Sequence, residues 1–161
     1  MLTHPTWQIT ELGLAELVGA DEQVDQNDFG GSVACTLGDG VRPNSGEFLA
    51  FLFVTGETGS GAVQTPAGRL LLFDADPAIS AGDTSITLAE RKTLVGQVEI
   101  TASDWISDAN GASAYIYAQP LPFHNLQTVY AAWFHEDATS LNDGAGDDET
   151  LHFNAWYRRD T

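Results

Sequence analysis

The carboxylates are the first residues in this chain that could do chemistry. The stretch LFDADPAISAGD, residues 72 to 83, sets Asp74, Asp76 and Asp83 behind an apolar run, with Pro77 and Gly82 among them. A second acid-rich stretch, NDGAGDDE, carries Asp143, Asp147, Asp148 and Glu149 on a glycine-spaced segment. Calcium needs several oxygen ligands converging at close spacing. The EF-hand pattern is absent, because Pro77 and Ala78 stand where further ligands and the glycine would fall. A strand exit through Pro77 and a turn at Gly82-Asp83 account for the first stretch. A solvated hairpin loop, whose glycines supply positive φ, accounts for the second. Calcium at Asp74, Asp76, Asp83, Asp143 and Asp147 is the lesser reading, and no cofactor is expected.

The remaining reactive types fit enzyme chemistry no better. FHED, residues 134 to 137, lacks a second histidine at metalloprotease spacing. His135 and His152 can meet only if their strands are neighbours, and a zinc site would still lack ligands; His4 and His124 add no pattern. Cys35 is the single cysteine, so no internal disulfide forms, and its apolar setting GGSVACTL favours a buried, inert thiol. GETGSGA, residues 56 to 62, has no phosphate-cradling ending, and Ser60 is not in a nucleophile elbow. Glycosidases need two carboxylates. With 23 acids some pair always exists, so that signal selects nothing. The chain is read as no enzyme.

Aromatic residues carry more information. Trp105, Tyr115, Tyr117, Trp133, Phe134, Trp156 and Tyr157 are core by default, and some can instead make a protein interface or a sugar-stacking platform. Trp105 in ASDWISDANG and Trp156 beside Arg158 are the two expected at the surface.

The elements that must position these residues are short. GGSVACTL, EFLAFLFVTG, GRLLLFDAD, TLVGQVEIT, ASAYIYAQ, TVYAAWFHE and ETLHFNAWYRR are rich in β-branched and aromatic residues and bounded by Gly, Asp, Asn, Ser or Pro. That spacing predicts an all-β antiparallel sandwich of seven to nine strands, jelly-roll in type. In ETLHFNAWYRR, Leu151, Phe153, Ala155 and Tyr157 share one face, and His152, Asn154, Trp156 and Arg158 the other. Val129, Ala131 and Trp133 alternate with Tyr130, Ala132 and Phe134, which predicts a strand covered on both faces. ITELGLAELVG and LAERK, residues 88 to 92, are expected to form a helical turn or two each.

The 161 residues suit one domain over 1–161, with no linker or repeat and with 43% hydrophobic residues to build a core. No apolar run reaches a membrane span, and the start MLTHPTWQITEL lacks a signal peptide's pattern, so folding in the cytoplasm is expected. The net charge is -17. A polyanion gains nothing from counterion release, and Arg42, Arg69, Arg91, Lys92, Arg158 and Arg159 form no long stripe, so nucleic acid and anionic membranes are excluded as expected partners. The acidity fits solubility, a salty environment or a basic partner.

The run RLLLFDADPAISAGDTSITLAERKTLVGQVEI, residues 69 to 100, resembles a segment of accessory virion proteins of tailed bacteriophages. The shared features are a strand ending in an Asp-Ala-Asp-Pro turn, an acidic spacer, a short helical turn at Leu88 to Lys92, and a strand opening Leu94-Val95-Gly96. QNDFGGSVACTL resembles that family's first strand, so the resemblance spans about residues 24 to 100. It implies a β-sandwich particle protein of the capsid-decoration or cement kind, on the outer surface of the virion, and carries over no catalytic residues. Its partners would be the major capsid protein or other virion subunits, with the chain lattice-bound or homo-oligomeric. Trp105, Trp156, Arg91, Lys92, Arg158 and Arg159 are the interface candidates. The rival expectation is a carbohydrate-binding module of a phage tail or fibre; a small hydrolase ranks last.

Overall fold

The computed structural model describes residues 8–56, 63–117, 119–142 and 149–160. Its strands are β1 (Gln8–Glu11), β2 (Ala15–Val18), β3 (Val33–Thr36), β4 (Asn44–Gly56), β5 (Gly68–Phe73), β6 (Leu94–Ile100), β7 (Ile106–Ser107), β8 (Gly111–Ile116), β9 (Leu121–Leu126), β10 (Thr128–His135) and β11 (Thr150–Arg159). Two antiparallel sheets form a sandwich. The first runs β2-β11-β4-β8, with β1, β7 and β9 at its edges; the second runs β3-β10-β5-β6. Chain order passes back and forth between them, and β4 lies beside β11. This is the interlocked Greek-key wiring of a jelly roll.

The long pair β4–β11 is the spine of the first sheet. Its inward residues Phe48, Phe51, Phe53, Leu151, Phe153, Ala155 and Tyr157 are all at most 1% exposed. They meet Leu70 and Leu72 of β5, Val98 and Ile100 of β6, and Val129, Ala131 and Trp133 of β10 in one core. Each large side chain so buried is worth ~1.5–3 kcal/mol over exposure. The expected division of faces in β11 therefore holds. So does the reading of β10, because Tyr130, Ala132 and Phe134 pack on its other face with Phe29, Leu71, Phe73, Ile79 and Ile86.

That second cluster explains LFDADPAISAGD. β5 ends at Phe73, and residues 74 to 87 then fold back as a strap over the second sheet. Ser32 N donates to Ile79 O, Phe29 N to Asp83 O and Gly82 N to Phe29 O, so Ile79 and Ile86 are held down on the sheet. The one-turn helix α1 (Leu88–Arg91) follows, with a capping box between Thr87 and Glu90, as expected of LAERK.

ITELGLAELVG corrects the helical expectation. It forms β1 and β2, two pieces of one edge strand along β11. An unpaired edge of β11 offers a full ladder of hydrogen bonds, whereas a helix of this length is marginal on its own. The break lies at Gly13, at φ 94°, whose N–H donates to Asn154 Oδ1 at 3.0 Å. On the far edge of β4, β8 and β9 are likewise two pieces of one strand. These two breaks and the two-residue β7 raise the count to eleven among the described residues.

Candidate functional site

Among the described residues, the histidines and strap acids singled out from the sequence do not gather into one cluster. β10 and β11 belong to different sheets, so His135 and His152 are not strand neighbours. His135 is fully buried: Trp133 Nε1–H donates to its Nδ1 at 3.3 Å, and its Nε2 lies 2.8 Å from the Thr139 carbonyl. With Nδ1 accepting, the ring proton sits on Nε2 and is donated to Thr139, the arrangement of a satisfied core histidine. His152 lies 3.5 Å from Glu16, and His124 is exposed. Cys35 is 6% exposed, and burial pushes its thiol up to about 11. No thiolate nucleophile forms near neutral pH from such a group.

The strap acids are occupied by their own turns. Asp76 Oδ1 accepts from Ala78 N and Asp83 Oδ2 from Ser80 N, while Asp74 is exposed. Among the described residues no three His, Cys, Asp or Glu side chains gather as metal ligands. Asp143, Asp147 and Asp148, together with His4 and Ser60, lie outside the described residues. The base of that second acidic loop is visible: Asn142 Nδ2 donates to the carbonyls of Gly19, Glu22 and Glu149, and Glu149 N donates back to Asn142 Oδ1.

The interface candidates separate. Trp105 is a correction: it is 8% exposed, joins the main core, and donates Nε1–H to the Pro66 carbonyl at 2.9 Å. A 3-10 turn at Ala102–Asp104 swings its ring inward, away from the polar residues around it in sequence. Arg91 and Lys92 are exposed at the end of α1, on the strap side of the sandwich. Arg159 lies at the end of β11, where Nη1 is 3.4 Å from Asn44 Oδ1. Trp156 and Arg158 do lie on one surface, the outer face of the first sheet.

That face is the feature of the molecule least like an ordinary solvated sheet. An antiparallel sandwich usually turns polar side chains outward. Here β4 turns Ala50, Leu52 and Val54 outward, opposite its inward phenylalanines. Trp156 from β11 and Tyr115 from β8 lie on either side of β4, and their rings stack across it with centroids 6.0 Å apart and planes 28° apart. Ala50, paired with Trp156, leaves room for that contact. Val54 pairs with Ser113, which pairs with Ile106 at the sheet edge; Ile106 is 81% exposed and Tyr115 56%. Polar pairs bound the strip: Arg158 with Glu47 at one end and His152 beside Glu16 at the other. An apolar centre inside a polar rim is the anatomy of a protein interface.

Sequence reading found Trp156 and Arg158 but not Leu52, Val54 or Ile106. The signal lay in EFLAFLFVTG, which is apolar at both parities and so demands two dry faces.

No family model and no curated protein matches the chain. Similar solved structures are virus capsid chains. One is a semi-empty virus-like particle of the giant freshwater prawn Macrobrachium rosenbergii nodavirus, at 10% identity over 98% of this chain and 84% of that one, TM-score 0.35. Another is the native Kashmir bee virus virion at neutral pH, at 12% identity over 94% and 70%, TM-score 0.36. A third is the Israel acute paralysis virus pentamer, at 13% identity over 96% and 88%, TM-score 0.31. Likeness at this level identifies no family and carries no argument about function.

Proposed function

We propose that this chain is a non-enzymatic structural protein of a virus particle, which decorates the outside of a phage capsid and bridges neighbouring capsid subunits. The observation that carries this reading is the outer face of the first sheet. Leu52, Val54, Ile106, Tyr115 and Trp156 form an apolar strip that the described residues leave partly open, rimmed by Arg158–Glu47 and His152–Glu16. Buried aromatic anchors surrounded by polar contacts supply most of the energy in such interfaces. The action is passive: the strip is buried against capsid subunits and links them. Jelly rolls also serve lectins and cupins, so the architecture by itself selects no function.

Immunogold electron microscopy of intact particles, with antibody against this chain, tests the reading. Label spread over the heads supports it; no label on any particle overturns it. Trp156→Ala should fold as the parent does and bind particles at least about tenfold more weakly, as expected for an aromatic anchor. Normal binding by that variant would exclude the strip.

The exposed ring of Tyr115 beside Trp156 favours one second reading, a sugar-stacking platform on a tail or fibre. Label at the tail tip, with glycan-array binding lost in Trp156→Ala, would select it.

A further inference from the structure

The opposite side of the sandwich holds a cavity of about 300 Å³ between the strap and the outer face of the second sheet. Its apolar surface comes from four residues of four segments: Phe29, Leu71 on β5, Ile86 of the strap and Phe134 on β10. Phe29 and Phe134 are packed ring on ring, with centroids 4.8 Å apart. Arg69, Arg91 and the acid Glu136 line the same cavity, which brings two of the six basic residues of a chain of net charge -17 to one small space beside a single carboxylate.

The two arginines are not equivalent. Arg69 Nε lies 2.9 Å from Glu136 Oε1, and Glu99 is its cross-strand neighbour on β6, so its charge is met by acids of the fold. Among the described residues Arg91 is in no ion pair. In a chain with 23 acids, a cation left unpaired over an apolar pocket offers an incoming anion positive charge that no acid has already met. The guanidinium is also the side chain best shaped to hold a carboxylate.

We propose that this cavity binds a carboxylate carried on an aromatic or branched aliphatic body, with the body on Phe29, Leu71, Ile86 and Phe134 and the carboxylate on Arg91. The volume sits at the lower end of the ~300–1,000 Å³ of small-ligand sites, which restricts the body to about one ring or one branched chain. A free small acid and the C-terminal residue of another polypeptide present the same chemistry. The inference concerns the second sheet and does not rest on the particle reading of the first.

The test is an amide NMR titration of the full chain with 3-phenylpropanoate and with its neutral counterpart, 3-phenylpropan-1-ol. Saturable shifts at Phe29, Leu71, Ile86 and Phe134 are expected, with the acid bound about fivefold more tightly than the alcohol. Arg91→Gln should bring the acid to the alcohol's affinity and leave the alcohol unchanged. Shifts confined to the first sheet, equal binding of acid and alcohol, or an acid preference that survives Arg91→Gln would each overturn the proposal. A pentapeptide ending in a free phenylalanine, compared with its amide, separates the two sources. Carboxylate-dependent binding of the peptide identifies a chain terminus as the occupant; binding of the small acid alone identifies a free metabolite-sized acid.

Discussion

At the scale of single residues, burial decides chemistry. Cys35 faces the core from β3, and its thiol is raised from an ordinary 9.0 to about 11 because the thiolate would be desolvated there. In the unfolded chain the same thiol ionises from about pH 9. The native state therefore holds its proton where the unfolded state has lost it. Its stabilising contribution is fully present below about pH 9 and is lost as pH rises through about 11. Urea-unfolding midpoints should fall more steeply between those pH values in the wild type than in Cys35→Ala. Parallel profiles would show that Cys35 ionises equally in both states. Cys35 was readable from its apolar neighbours. Trp105 was not, because ASDWISDANG is polar and only the distant Pro66 carbonyl reveals where the indole goes.

At the scale of elements, the close packing of β4 on β11 leaves one position with no space at all. A Cβ on Gly46 would meet the Arg158 carbonyl oxygen at 1.9 Å, a backbone atom that moves only if β11 moves. Gly46→Ala should lower unfolding free energy by about 2 kcal/mol or more in urea titration, in the range of overpacking substitutions. Gly56→Ala in the same strand meets nothing within 4 Å and should stay within about 0.5 kcal/mol. An unchanged midpoint for Gly46→Ala would mean that the two strands pair less closely than described. Strand existence was legible here, since Gly and Asp clusters bound nearly every apolar run. The interruption of the edge strand at Gly13 was not, because it depends on Asn154, 141 positions away, receiving the Gly13 N–H.

For the whole molecule, a net charge of -17 on 161 residues makes self-repulsion a cost of compactness. Six Lys and Arg residues stand against 23 acids, so most acids have no cationic side chain to pair with. Salt screens charges beyond about 10 Å at 0.1 M. Raising sodium chloride from about 0.01 to 0.5 M should therefore raise the melting temperature steadily, by several degrees in calorimetry. A melting temperature that falls with salt would show attraction between charges outweighing repulsion.

The sequence alone determined what depends on local order. Alternating side chains in ETLHFNAWYRR, turn residues between short apolar runs and a surplus of acids already specify an all-β sandwich, the inward row of β11 and a strongly acidic chain. Tertiary structure decided everything that depends on which strands become neighbours. It made a broken edge strand of ITELGLAELVG by offering it the edge of β11, and it put His135 and His152 in different sheets. It also carried Trp105 into the core, folded the strap down beside Arg91, and stacked Tyr115 on Trp156 across β4. The reason is physical. Periodicity reports which residues of one strand share a face, but a face becomes core, rim or open surface only when other strands cover it or fail to.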